Sequence, residues 1–180
     1  MSIFDGAGNP LTDIEPPLDG GSGQFGASLA LDGNRLLIGA PQASGGSGAV
    51  FQFAPSGAMA GDAIRPAFPE PGSEFGRAVA FGPDEILVGA PNQTVETLGS
   101  TPGRFGAVYR FNADSGLQIV QISAFSDASA DFLQQESFGA AIGSSEEALI
   151  IGAPTSEAGQ GAAAFRRLDS DRVYRSGFEF

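Results

Sequence analysis

Alternating and continuous apolar stretches follow one another three times along the chain. The alternating kind, Ala27-Ser28-Leu29-Ala30-Leu31 and Ala78-Val79-Ala80-Phe81, predicts a half-buried strand, because side chains change face at every residue. The continuous kind, Leu36-Leu37-Ile38, Ile86-Leu87-Val88 and Leu149-Ile150-Ile151, predicts a strand covered on both faces. Tight turns are predicted between them at Asp32-Gly33-Asn34, Gly82-Pro83-Asp84 and Gly143-Ser144-Ser145, where Gly and Asn tolerate positive φ. A third strand is expected at Gly48-Ala49-Val50-Phe51-Gln52-Phe53 and at Gly106-Ala107-Val108-Tyr109-Arg110-Phe111, with a weaker copy at Gly161-Ala162-Ala163-Ala164-Phe165. Fourth strands are expected at Ala63-Ile64-Arg65, at Leu117 to Ile122 and at Arg172 to Arg175. No stretch predicts a long helix.

A fixed interval ties these elements together. Phe25-Gly26, Phe75-Gly76 and Phe138-Gly139 are each followed fourteen residues later by Gly-Ala-Pro, at Gly39, Gly89 and Gly152. Constant spacing inside a unit and variable spacing between units, 50 and then 63 residues, marks a repeat architecture. Small residues at Gly-Ala-Pro would let neighbouring sheets approach closely, and the proline stops the hydrogen-bond ladder. Four antiparallel strands per unit of about 40 to 60 residues is the size of a propeller blade. The phenylalanines recur at strand starts and ends, which reads as core between blades.

Composition narrows the chemistry. With 180 residues and 42% hydrophobic residues the chain can bury a core, despite 27 glycines and 12 prolines. It has no cysteine, so no disulfide framework and no thiolate metal site, and no histidine, which removes the commonest general base. Nine basic residues, all arginine, stand against 21 acidic ones, a net charge of -12. That balance argues against a nucleic-acid partner, which needs a basic face, and reads as a solubility device. No apolar run approaches the roughly 18 residues of a membrane span, and Met1 to Pro10 lacks the pattern of a secretory signal.

Phe-Gly, the apolar strand, Gly-Ala-Pro and then Gly-Ala-Val-Phe or Gly-Ala-Val-Tyr resemble the FG-GAP repeats of integrin alpha-subunit β-propellers and their bacterial relatives. Three copies in one register span roughly residues 25 to 168. The resemblance implies an all-β chain of four-stranded antiparallel blades, about three of them, forming a partial or open propeller. It also implies an extracellular or envelope-associated interaction or adhesion module that meets a protein or glycan ligand at its loop rim. The boundaries expected are 1–24 for the tail of a preceding blade, 25–74, 75–137 and 138–168 for the three repeats, and 169–180 for a C-terminal tail or last strand. In this reading Leu11 to Ile14 is the last strand of the preceding blade, and the chain is the C-terminal part of a longer exported propeller. Its Val173 to Glu179 ending is similar to a short aromatic terminus of exported bacterial proteins.

Integrin-type repeats often carry a calcium loop between the first and second strands. Here that connection is a tight turn offering only Asp32 and Asn34, Asp84 and Glu85, or Glu146 and Glu147, too few oxygen ligands for the ion. No metal, cofactor-binding or catalytic residue is assigned, and the chain looks like the calcium-free bacterial subgroup. Asp127, Asp131, Asp169 and Asp171 read as solvated loop carboxylates. Gly20-Gly21-Ser22-Gly23 and Gly45-Gly46-Ser47-Gly48 read as turns, since no lysine completes a phosphate loop. No paired carboxylates and no Gly-x-Ser-x-Gly elbow point to an enzyme. The alternative to a self-standing interaction module is a scaffold segment appended to an upstream catalytic domain. Asn92 to Arg104 replaces a six-residue loop of the other two units and is the place where extra length could serve binding. Were the chain complete, an isolated three-blade arc would expose an apolar sheet face at each end, which predicts self-association.

Overall fold

The computed structural model describes residues 1–17, 23–96, 102–123, 137–155 and 161–167. Within them the protein is mostly β, built of antiparallel sheets. Strands β1 (Ser2–Phe4) and β2 (Pro10–Asp13) form an N-terminal hairpin. Strands β3 (Ser28–Asp32), β4 (Arg35–Ala40) and β5 (Ala49–Phe53) form the first main sheet in that order. A four-residue helix, α1 (Ala43–Gly46), links β4 to β5, and positive φ at Ser44 and Gly45 makes it little more than a turn. The second sheet contains β6 (Ala78–Gly82) and β7 (Glu85–Ala90). After the small β8 (Thr94–Val95) and β9 (Gly103–Arg104) pair, β10 (Ala107–Asn112) and β11 (Gln118–Ser123) complete it in the order β11-β10-β7-β6. The third sheet is β12 (Ala141–Ser144), β13 (Ala148–Ala153) and β14 (Ala162–Arg167).

The fourteen-residue interval has a direct structural cause. Residues Gln24, Glu74 and Ser137, each just before Phe-Gly, have φ of 59°, 58° and 63°, and Gly26, Gly76 and Gly139 have 93°, 92° and 91°. In all three units the residue after the glycine donates its N–H back across the turn, at 3.0 Å, closing a type II turn that requires Gly at its third position. The same glycine N–H then donates to the carbonyl of Gly39, Gly89 or Gly152 at 3.0, 3.0 and 3.1 Å. Phe-Gly and Gly-Ala-Pro are therefore the two lips of one hairpin, and the spacing is the length of chain that joins them.

That length also corrects one turn. The third hairpin bends at Glu146-Glu147, not at Gly143 to Ser145, because Ala141 pairs with Gly152 as Ser28 pairs with Gly39. Ser145 supplies the turn chemistry in place of glycine, its Oγ accepting the N–H groups of Glu147 and Ala148 at 3.4 and 3.2 Å. In the second hairpin Gly82 belongs to β6 and Asp84 takes the positive φ, 52°.

The hairpin and the three main sheets stack in chain order. Ile3 and Ile14 pack on Leu36, Ile38, Phe51 and Phe53 of the first sheet. The opposite face of that sheet, with Leu37 and Val50, meets Val79, Ile86, Val88, Tyr109 and Phe111 of the second. Leu87 and Val108 then face Phe138, Leu149 and Ile151 of the third. Alternation along one strand thus feeds two different cores, which is why the middle strands of the first two sheets need an unbroken apolar run.

Glycine is required where the sheets touch. A Cβ on Gly39 would lie 2.1 Å from the carbonyl oxygen of Gly76, and one on Gly89 would lie 2.0 Å from that of Gly139. Each Phe-Gly turn of a later sheet therefore sits against the Gly-Ala-Pro end of the sheet before it. Parallel bridges from Gly48 to Phe75 and from Gly106 to Phe138 fix the contact, with Glu74 N–H donating to Gly46 O at 3.0 Å and Phe138 N–H to Phe105 O at 2.9 Å.

Three expectations change. The strand at Ala63 to Arg65 shrinks to one antiparallel bridge between Val50 and Ile64, as Gly61 at φ 87° and Pro66 bound it on either side. The run Leu149 to Ile151 is covered on one face only, and Ile150 is 49% exposed. Not every phenylalanine is core: Phe4, Phe68 and Phe165 are exposed, Phe68 on a loop and the others on outer faces of the stack. The expected strand at Arg172 to Arg175 lies outside the described residues.

Candidate interaction rim

The Phe-Gly turns, the Gly-Ala-Pro ends and the connections from second to third strands all gather at one end of the sheets. There the long segment Asn92 to Arg104 is anchored at both feet. Thr94 and Val95 pair with Arg104 and Gly103. Glu70, 24 residues earlier, clamps the first foot: its carboxylate accepts the N–H of Thr94 at 2.9 Å, the Thr94 hydroxyl and the Gln93 side-chain amide. The Arg104 guanidinium holds the second foot, donating to the carbonyls of Gly72 at 3.0 Å and Pro71 at 3.3 Å. Residues 97–101, the tip of this segment, lie outside the described residues.

Beneath the feet is a buried polar pair. Gln93 is buried, and its Oε1 accepts the Tyr109 hydroxyl at 2.9 Å. Burial, and after it the negative charge of Glu70, push the Tyr109 phenol up to about 12, so the donor keeps its proton across the physiological range. In the first unit the matching positions are Ala43 and Phe51, both buried in an apolar cluster. The second unit has exchanged an apolar pair for a hydrogen-bonded one directly under the loop. Sequence reading missed this network, although tyrosine in place of phenylalanine at an otherwise apolar position was its available signal.

A separate groove of about 320 Å³ lies between the first and second sheets, lined by Gln52, Asp62, Ile64, Arg65, Asp114 and Ser115 among others. Its carboxylates, guanidinium, amide and hydroxyl can hydrogen-bond a small polar molecule. The Ser115 Oγ donates to the Asn112 side chain at 2.9 Å and accepts the Leu117 N–H at 3.4 Å.

The turn carboxylates are dispersed. Asp32 is held by Arg35 at 2.6 Å, Glu85 by both Nε (2.7 Å) and a terminal nitrogen of Arg110, and Glu146 and Glu147 are exposed at the third hairpin. At the N-terminal hairpin Asp5 accepts the Asn9 side chain (2.9 Å) and the N–H groups of Asn9 (2.8 Å) and Ala7 (2.9 Å), which hold its carboxyl below the usual range. Among the described residues no three acidic, Cys or His side chains converge as a metal site. Asp127, Asp131, Asp169 and Asp171, Gly20 to Ser22 and the tail 169–180 lie outside the described residues. No helix among the described residues is long and apolar enough to cross a membrane. Comparison with known protein families finds no matching family, and no curated protein matches the chain.

Proposed function

We propose that the three sheets are blades of an FG-GAP-type β-propeller and that the protein is a non-enzymatic interaction or adhesion scaffold, extracellular or in the cell envelope, with a protein or glycan ligand at the rim carrying the Phe-Gly turns. The observation that carries this reading is the threefold recurrence of one backbone device, a Phe-Gly type II turn bonded to Gly-Ala-Pro, which in the second and third units is set against the sheet before it. Repeating scaffolds present variable loops on an invariant frame. The loop best suited to a ligand is residues 92–104, longer than its counterparts and held at its base by Glu70 and Arg104.

The test replaces residues 96–102 with Asn-Gly, a two-residue turn that suits the β8–β9 pair. Wild type and variant are probed against arrayed extracellular proteins and glycans. The reading expects a ligand bound by the wild type and lost by the variant, with the melting temperature of the variant unchanged within about 3 °C. A ligand bound equally by both proteins, or turnover of any arrayed substrate, would count against it.

A further inference from the structure

The groove between the first and second sheets lies at the end of the sheets away from the Phe-Gly turns, since β10 runs from Ala107, opposite Ala90, to Asn112, opposite Glu85. Two hydrogen-bonded walls enclose it. One is the stretch Ala60 to Arg65, tied to β5 by the Ala60 N–H donating to Gln52 O at 2.8 Å and by the paired bonds of Val50 with Ile64, 3.1 and 2.8 Å. The other is the turn from β10 to β11. There the Asn112 Oδ1 accepts the N–H groups of Asp114 and Ser115 at 3.2 and 2.9 Å and the Ser115 hydroxyl at 2.9 Å, while the Gly116 N–H donates to Asn112 O at 2.9 Å. Just beyond the walls, the Ala67 N–H donates to Gln118 Oε1 at 3.0 Å and ties the two together.

The charges that line this groove are unpaired. Elsewhere Arg35 binds Asp32, Arg110 binds Glu85, and Arg104 holds two backbone carbonyls. Among the described residues the Arg65 guanidinium and the Asp62 and Asp114 carboxylates make no ion pair and no hydrogen bond. Arg77 also lacks a partner there, but it is exposed, whereas Arg65 is half-buried. A half-buried cation gives up hydration that a protein partner ordinarily replaces. Arg65 accepts that loss beside an opening of about 320 Å³, near the lower end of the roughly 300–1,000 Å³ of small-molecule sites.

We propose that the groove binds a free basic amino acid, its carboxylate on Arg65 and its two cationic groups on Asp62 and Asp114. A guanidinium and two carboxylates leave the lining with one excess negative charge, and a basic amino acid carries the complementary set, one carboxylate and two cations. The planar guanidinium takes a carboxylate through two parallel hydrogen bonds. A neutral sugar would leave all three charges of the groove uncompensated, and a diamine would leave Arg65 unpaired beside a second cation. The net charge of -12 attracts cations to the whole molecule, so the ligand carboxylate is the group that Arg65 alone selects. This goes beyond the rim-binding reading, which stands or falls separately.

Titrating the full 180-residue chain with L-lysine, followed by amide NMR, tests it. Saturable shifts are expected at Gly61, Asp62, Ser115 and Gly116, with the rim amides of Thr94 and Arg104 unmoved. Cadaverine, which is lysine without its carboxylate, should bind at least about tenfold more weakly despite its higher net charge. Arg65→Gln should remove that preference by weakening lysine alone, whereas Asp62→Asn and Asp114→Asn should each weaken both ligands by at least about fivefold. Lysine that gives no saturable shift at about 20 mM overturns the proposal. So does cadaverine binding wild type as tightly as lysine, the result for unselective attraction by charge, and so does glucose shifting the same amides with equal affinity. The comparison of lysine with cadaverine needs only the wild type, so it decides the matter whether or not a variant folds.

Discussion

Substituting alanine for Gly89 should cost far more than the same change at Gly152, although the two occupy one position in the repeat. The new Cβ at residue 89 would lie 2.0 Å from the carbonyl oxygen of Gly139, and the obstructing atom is backbone, so no rotamer change relieves it. Ordinary contact begins near 3.4 Å, which forces the second and third sheets apart by more than an ångström. Leu87 and Val108 would then lose close packing against Leu149 and Ile151. Overpacking of this kind costs about 2–4 kcal/mol, or roughly 5–15 °C in melting temperature for a chain of this size. At Gly152 the nearest atom to an added Cβ is that of Ala141 at 3.4 Å, so Gly152→Ala should change stability by less than about 1 kcal/mol. Urea unfolding followed by circular dichroism measures both. Equal losses at the two positions would refute the stacking argument, because only the neighbouring sheet distinguishes them.

Other outcomes follow from the rim and the turns. Tyr109→Phe strands the buried Gln93 oxygen and should cost about 1–3 kcal/mol, while Tyr109→Phe combined with Gln93→Ala recreates the apolar pair of the first unit; a double-mutant cycle showing no coupling would contradict the hydrogen bond. Because the phenol of Tyr109 is raised from 10.0 to about 12, its neutral form supports folding fully below pH 10, and that support disappears as pH climbs from 10 towards 12. Ultraviolet titration should accordingly show one of the two tyrosines ionising late, and a single step near pH 10 would be inconsistent with its burial. For Asp5 the sign is opposite: its carboxyl is lowered below 3.8, so the β1–β2 turn keeps its bonds above that pH and releases them as pH falls through the lowered value. The amide resonance of Asn9 should report that midpoint below 3.8.

How much of this was legible depended on the range of the interaction. The hairpins could be read because Phe-Gly, the turn and Gly-Ala-Pro lie within one short segment and a single glycine bond fixes their spacing. Even there, local residue preference misplaced the third turn, since Gly143 and Ser144 are turn formers that the pairing register overrides. The close approach at Gly39 and Gly89 was anticipated from residue size alone. By contrast, the grip of Glu70 on Thr94 joins residues 24 apart, and the bare face at Ile150 depends on what stands beside the sheet. An apolar residue with a neighbouring sheet and one without look alike in a sequence. The ligand was not legible at all, because a rim loop is positioned by the scaffold but not specified by its repeat.

The claim on which the rest depends is that the second and third Phe-Gly turns dock on the sheets before them. Amide hydrogen exchange at Glu74 and Phe138 tests it most directly, because their N–H groups donate across the two sheet junctions, to Gly46 and Phe105. The account predicts protection of about a thousandfold or more at both, comparable with the central strands β4 and β7. Near-unprotected exchange at these two amides while β4 and β7 remain protected would mean that the sheets fold but do not stack, and would contradict it.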